Sequence, residues 1–312
     1  MAQQPDPSNK TSSLLGIIDL GTNTFHLLIA SYSGTDWEEV YRIRKFVELG
    51  EMGVETLGVA PLQRAMTALK EFSEILDAHT VTKVKAFGTA ALRTASNGPD
   101  FVQKVAKELN IEVDLIDGQE EARLIFEGAM QAVPNHKGPS MIMDIGGGSV
   151  EFILVLNKSI IWSQSFPVGV AVMFQKFLRS DPISREEVRA IQAFLEQQLK
   201  PMIQKLSEYP CTILIGASGT FDVMENIMPG RVLSNHAIAL QVSDFPPLYL
   251  KLLKSTLDQR KNWKGIPPHR AKLIMSAMVL IEFVLGKSPF EEIWVSHYAM
   301  KEGMIADFLK KS

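Results

Sequence analysis

The chain has 312 residues, 46% of them apolar, with 32 Lys and Arg against 35 Asp and Glu for a formal charge of −3. This is the composition of a globular protein long enough for about two domains, which excludes a chain disordered throughout. The near balance of charge leaves no general basic field to hold a nucleic acid polymer, so a phosphate-rich partner must be met by a local site.

Met1–Ser13 is polar with two prolines and reads as a disordered leader rather than a signal peptide. Two apolar runs follow in Leu14–Tyr32, joined by Asp19-Leu20-Gly21-Thr22-Asn23-Thr24, which predicts strand, turn, strand. A third strand is expected around Glu39–Leu49. From Pro61, apolar residues at 62, 65, 66, 69, 72 and 76 keep the helical period. Then come a strand at Val84–Phe87, a helix from Asn97 to about Leu109, a short strand at Ile111–Ile116 and a helix at Glu120–Ala132. Alternation of this kind indicates a mixed α/β layer fold.

The breaker cluster Val133–Pro139 separates two halves that begin alike. Ser140–Leu154 repeats the order of the first half: apolar strand, Asp144, glycine turn Gly146-Gly147-Gly148-Ser149, apolar strand. Asp19 and Asp144 stand 125 residues apart, a spacing that suits a duplicated domain. Beyond them we expect a strand at Ile160–Phe166, helices at Ala171–Phe177 and Arg185–Leu206, and a strand at Thr212–Ile215 ending on Gly216-Ala217-Ser218-Gly219-Thr220. Helices at Phe245–Leu257 and Ala271–Leu285, a strand at Glu292–Ser296 and a helix from about Ala299 complete the chain. The longest apolar stretch, Leu273–Leu285, is 13 residues and contains Glu282, short of the roughly 20 a bilayer requires, so it reads as a buried helix and no membrane is a partner. The single cysteine, Cys211, forms no internal disulfide and reads as a small hydrophobe in a cytoplasmic protein. His26, within a strand, reads as a core histidine.

Glycine-rich turns let several backbone N–H groups converge on one anion, so Gly146–Ser149 and, more weakly, Gly21–Thr24 are candidate phosphate loops; each alone is equally a plain hairpin turn. Asp19, Asp144 and Glu151 are hard oxygen ligands suited to Mg²⁺. Gly216, Ser218, Gly219 and Thr220 lie where a helix N-terminus would meet an anion. Arg93 follows a strand directly and is suited to grip a phosphoryl group. Glu120 and Glu121 open a helix, where carboxylates serve the macrodipole or act as a base.

Together these residues resemble the exopolyphosphatase / guanosine pentaphosphate phosphohydrolase family of the actin, sugar-kinase and Hsp70 ATPase superfamily. The resemblance is carried by Ile18–Leu27, Gly88-Thr-Ala-Ala-Leu-Arg93, Gly118-Gln-Glu-Glu-Ala-Arg-Leu-Ile125, Asp144–Ser149 with Glu151, Gly216–Thr220 and Val295–Gly303. It implies two ribonuclease-H-like domains facing across a cleft: residues 14–122 with a returning C-terminal helix at 299–312, and residues 123–298. By the same analogy Glu121 activates water with Glu120 beside it, Arg93 neutralises the transferred phosphoryl group, and Asp144 and Glu151 place Mg²⁺. The substrate implied is inorganic polyphosphate, or guanosine pentaphosphate (pppGpp) as the alternative, and the assembly a homodimer. A superfamily kinase and a catalytically silent phosphate-ligand sensor are the competing readings. Glu48 and Lys301 stand where relatives carry arginine, and Val150 where they carry threonine.

Overall fold

A computed structural model describes residues 12–53 and 55–311. Residues 1–11 of the expected leader lie outside the described residues, and Ser13 already belongs to the first strand, paired with Tyr32. The first half runs β1 (Ser13–Leu20), β2 (Thr24–Ser33), β3 (Asp36–Phe46), α1 (Val59–Ala78), β4 (Lys83–Gly88), α2 (Ala90–Thr94), α3 (Gly98–Leu109), β5 (Val113–Leu115) and α4 (Gly118–Ala132). The second runs β6 (Ser140–Ile145), β7 (Val150–Leu156), β8 (Ser159–Phe166), α5 (Val170–Phe177), α6 (Arg185–Gln198), α7 (Lys200–Glu208), β9 (Ile213–Ala217) and α8 (Gly219–Ile227). It ends with β10 (Gly230–Ser234), β11 (Ala237–Gln241), α9 (Phe245–Leu253), α10 (Leu257–Lys261), α11 (Ile274–Leu285), β12 (Glu292–Ser296) and α12 (Met300–Lys311).

The sheets explain the repeat. The first has the order β3-β2-β1-β4-β5; the second contains β8-β7-β6-β9-β12 in the same sense, extended by the hairpin β11-β10. In each, an antiparallel meander is followed by parallel strands, and Asp19 and Asp144 occupy equivalent ends of β1 and β6.

The inner strands β1, β2, β6, β7 and β9 are covered on both faces, which is why they read as nearly continuous apolar runs, whereas the edge strand β3 is largely exposed. Alternate residues serve different cores. Ile18 and Leu27 pack with α1 and α3, whereas Ile17 and Leu28 face α4 and α12. In the second sheet Ile142 and Ile153 face the same two helices, while Met141, Met143 and Phe152 pack with α6, α8 and α11. Helices α4 and α12 therefore form a middle layer between the sheets. Their backbones touch: a Cβ on Gly128 would sit 1.8 Å from the Ala299 carbonyl oxygen, and one on Gly303 1.8 Å from that of Leu124.

The expected step from the first domain to the second, between Ala122 and Arg123, lies within α4, which continues unbroken to Ala132 as its apolar stripe packs on both sheets. Two expected helices are corrected. The helix expected at 185–206 is two helices, since Pro201 has no N–H for the ladder and instead opens α7. Phe245–Leu257 likewise divides: α9 stops at Leu253, and Thr256 with Gln259 forms a capping box for α10. Helix α2 and the hairpin β10–β11 are too short for their patterns to stand out. Among the described residues no helix is long and apolar enough to cross a membrane, and α11 is buried.

Candidate active site

The two expected phosphate loops meet. A Cβ on Gly147 would lie 2.5 Å from Asn23 Nδ2, and one on Gly148 2.9 Å from Thr22 Oγ1, so a side chain at either would displace the opposite loop's side chain. Each loop is tied from behind by its carbonyls. Those of Gly146, Gly147 and Gly148 accept from Val170, Ala171 and Gly169 at the start of α5 (3.0, 3.0 and 3.2 Å). The Asn23 carbonyl accepts from Val47 and Glu48 (2.9 and 3.0 Å), and that of Thr22 from Gly50 at 3.4 Å. Since N–H and C=O point oppositely across a trans peptide, the amides of Gly147, Gly148, Ser149, Asn23 and Thr24 turn the other way, towards the space between the loops.

That space is a cavity of about 480 Å³ lined by both loops and by Asp19, Asp144, Glu151, Glu121, Ser218, Gly219 and Thr220. Asp117 caps α4, its carboxylate accepting from the amides of Gln119 and Glu120 (3.0 and 2.8 Å), which starts the helix so that Glu121 falls on its inner face. Gln119 fastens this first turn to β8, donating to the Ser163 carbonyl at 3.1 Å. Arg93, in the last turn of α2, donates to Glu121 at 3.1 Å and to the Ile116 carbonyl at 2.7 Å. Glu151 accepts from the Ser165 hydroxyl at 2.7 Å.

Four of the carboxyls that line the cavity, Glu121 and Glu151 buried and Asp19 and Asp144 half-buried, are pushed towards their neutral forms. Burial, then the charge of Glu151, holds Glu121 well above the carboxylate range against the pull of Arg93. Burial and Asp144 raise Glu151 to about 7, opposed by the hydroxyls of Ser165 and Ser149. Asp144 rises to about 6 through burial, opposed by the Ser218 hydroxyl and Lys301. Asp19 also rises to about 6, again chiefly through burial with Lys301 opposing. Groups so displaced, gathered in a cleft, mark a place for chemistry.

The remaining candidates divide. Ser218, Gly219 and Thr220 open α8 on the cavity, with Ser218 in the left-handed region at φ 77° and its hydroxyl donating to the Ile145 carbonyl at 3.1 Å. Gly216 does not reach the cleft; its missing side chain makes room for the Phe221 ring, 2.2 Å from a Cβ there, so its role is packing. Glu120 is also turned away, held by two 2.7 Å bonds from Arg123 one turn on, so it is no partner to Glu121 in the cleft. His26, expected in the core, lines the cleft instead; burial and the charges of Lys301, Arg44, Arg42 and Arg270 drive its pKa well down, leaving a neutral imidazole.

No motif points to Arg44, His269 or Arg270, which line the cleft with Lys301. The guanidinium of Arg270 occupies the space a side chain at Gly219 would need, 1.8 Å from its Cβ. Only the pairing of β2 with β3, which brings Arg44 beside His26, could have exposed this basic group. Glu48 lines the same region, with its backbone left-handed at φ 49°. Cys211 is buried, and burial pushes its thiol up to about 12, in keeping with a hydrophobe.

Asp19, Asp144 and Glu151 do not gather into a ready cage: among the described residues no group of three or more His, Cys, Asp or Glu converges as metal ligands. Their buried oxygens nevertheless fit Mg²⁺, which usually takes one or two carboxylates and completes its shell with water and phosphate oxygens.

Residues 28–312 match the Ppx/GppA phosphatase family. The guanosine-5'-triphosphate,3'-diphosphate pyrophosphatase of Photobacterium profundum is 26% identical over 308 residues, covering 97% of this chain, which spans only 61% of that protein's length. A solved exopolyphosphatase from Cytophaga hutchinsonii is 36% identical with a TM-score of 0.90, over 96% of this chain and 98% of that one. A Ppx/GppA enzyme of Aquifex aeolicus, 22% identical with a TM-score of 0.77 over 95% and 99% of the two chains, shares the fold.

Proposed function

For this chain, which belongs to the Ppx/GppA phosphatase family, we propose a phosphohydrolase that removes terminal orthophosphate from inorganic polyphosphate by attack of water. The observation that carries the reading is Glu121: a buried carboxyl of raised pKa, set at the cavity wall beside two opposed glycine loops and steadied by Arg93. A base of this kind suits abstraction of the attacking water's proton.

The loop amides of Asn23, Thr24, Gly147, Gly148 and Ser149 bind the terminal phosphoryl oxygens, with Ser218, Gly219 and Thr220 supplying further donors. Water attacks phosphorus in line with the bond to the next phosphate, that bond breaks with its electrons going to the shortened chain, and the water's proton passes to Glu121. Arg93 orients Glu121 and offsets negative charge on the phosphoryl group. Asp144, Glu151 and Asp19 would hold Mg²⁺, which neutralises phosphate charge when bound. Arg44, Arg270 and Lys301 receive the phosphates farther along the chain. Homodimerisation and a cytoplasmic location belong to this reading on the family resemblance.

The Photobacterium relative supports the alternative substrate, pppGpp, as the Cytophaga exopolyphosphatase supports polyphosphate, and the two readings share one site. The test is orthophosphate release from long-chain polyphosphate with Mg²⁺, and its competition by pppGpp. Release establishes the reaction; turnover of pppGpp alone transfers the reading to the nucleotide, and phosphorylation of an acceptor without free phosphate restores the kinase.

A further inference from the structure

Behind the cleft lies a second cavity of about 490 Å³, walled by the end of α2, the start of α4, β8 and α5. Two side-chain pairs stand between the cavities. Glu121 lines the front, whereas Arg93, which donates to it at 3.1 Å, lines the rear. Glu151 lines the front, and Ser165, whose hydroxyl donates to it at 2.7 Å, lines the rear. Ala90, Gly148 and Ser149 border both. Part of the partition is therefore closed by paired polar side chains rather than by backbone.

In-line displacement requires the attacking water and the leaving oxygen to lie on opposite sides of phosphorus. The leaving oxygen belongs to the rest of the substrate, which occupies the front cleft. Water is then on the side of Glu121, against the partition, and the orthophosphate formed is confined between partition and shortened chain. A frontal exit would require the chain to leave first.

Resting on the hydrolase reading above, we infer that orthophosphate leaves through the rear cavity, handed on by Arg93, while the shortened chain stays in the front cleft. The transfer has a local cause. As Glu121 takes the water's proton it loses the charge that holds Arg93, just as a phosphate anion forms beside the guanidinium. Gln164, Ser165 and Thr94 then offer donors along the rear wall.

The test fills the rear cavity from its rim, with Thr94→Trp at an exposed position and Gln164→Trp at a half-buried one. Acid-quenched time courses on long-chain polyphosphate with Mg²⁺ should show the first orthophosphate per site forming at the wild-type rate. Later turnovers should slow at least tenfold, giving a burst of about one per site that wild type lacks. Wild-type steady-state rates in both variants, or a first turnover slowed as much as later ones, would overturn the inference and leave the hydrolase reading intact. A wild-type protein that releases no orthophosphate would overturn both. Circular dichroism checks folding, and Thr94→Trp decides alone if Gln164→Trp does not fold.

Discussion

Replacing Gly128 by alanine reverses what helix propensity alone predicts. In a helix interior, Gly→Ala is intrinsically stabilising by about 1 kcal/mol. Here the new methyl would lie 1.8 Å from the Ala299 carbonyl oxygen, itself held by a 3.1 Å bond from Gly303 N–H. Because that acceptor is helix backbone and cannot swing aside, α12 must retreat by roughly 1.5 Å to restore contact at about 3.4 Å. The retreat loosens Met304 and Ile305 from the middle core layer. Overpacking typically costs about 1–3 kcal/mol, and a backbone clash stands at or above the upper end, so the net loss should be about 2 kcal/mol or more. Urea denaturation of Gly128→Ala and Gly303→Ala followed by tryptophan fluorescence measures it. Since both changes separate the same helices, the double variant should cost less than the sum. A Gly128→Ala protein as stable as wild type would refute the account of a backbone-to-backbone crossing. Helix α12 also brings Met300 and Lys301 to the cleft, so activity should fall with the displacement, by up to about 10²-fold for a shift near 1 Å.

Gly147→Ala meets the movable end of Asn23 rather than backbone, 2.5 Å away, so it should cost under about 1 kcal/mol of stability yet lower kcat/KM by about tenfold or more, measured by melting and by phosphate release. At Glu187 burial is outweighed by bonds from the Ser180 hydroxyl and the amides of Ser184, Arg179 and Ser180, which hold the carboxyl down at about 2. Its contribution is therefore present above the unfolded value near 4.5 and lost as pH falls towards 2; allowing for solvent screening, Glu187→Gln should cost about 1–2 kcal/mol at pH 7, a difference that shrinks across that acid window in urea titrations. Chelation by EDTA should abolish phosphate release and added Mg²⁺ restore it, while Asp144→Asn should raise the Mg²⁺ concentration giving half-maximal rate by about tenfold or more.

The two glycine loops and the repeat were legible because each rests on local pattern: apolar strands of period two broken by glycine turns, with Asp19 and Asp144 in matching places. Glu121 and Glu120 could not be told apart by position in the chain. The difference lies in which side of α4 faces the sheets, and that puts Glu121 against Arg93 and Glu120 against Arg123. Gly216 looked like its neighbour Gly219, but one makes room for Phe221 and the other for Arg270, partners fixed only by tertiary packing. That α4 packs on both sheets, with residue 122 within it, is likewise a matter of tertiary packing.

The most direct test of the account is orthophosphate release by Glu121→Gln beside wild type, on long-chain polyphosphate with Mg²⁺, with binding of the polymer measured in parallel. The amide keeps the shape of the side chain and removes the base, so kcat should fall by about 10²–10⁴-fold while polyphosphate affinity stays within a few-fold. A Glu121→Gln protein that releases orthophosphate at the wild-type rate would contradict the mechanism.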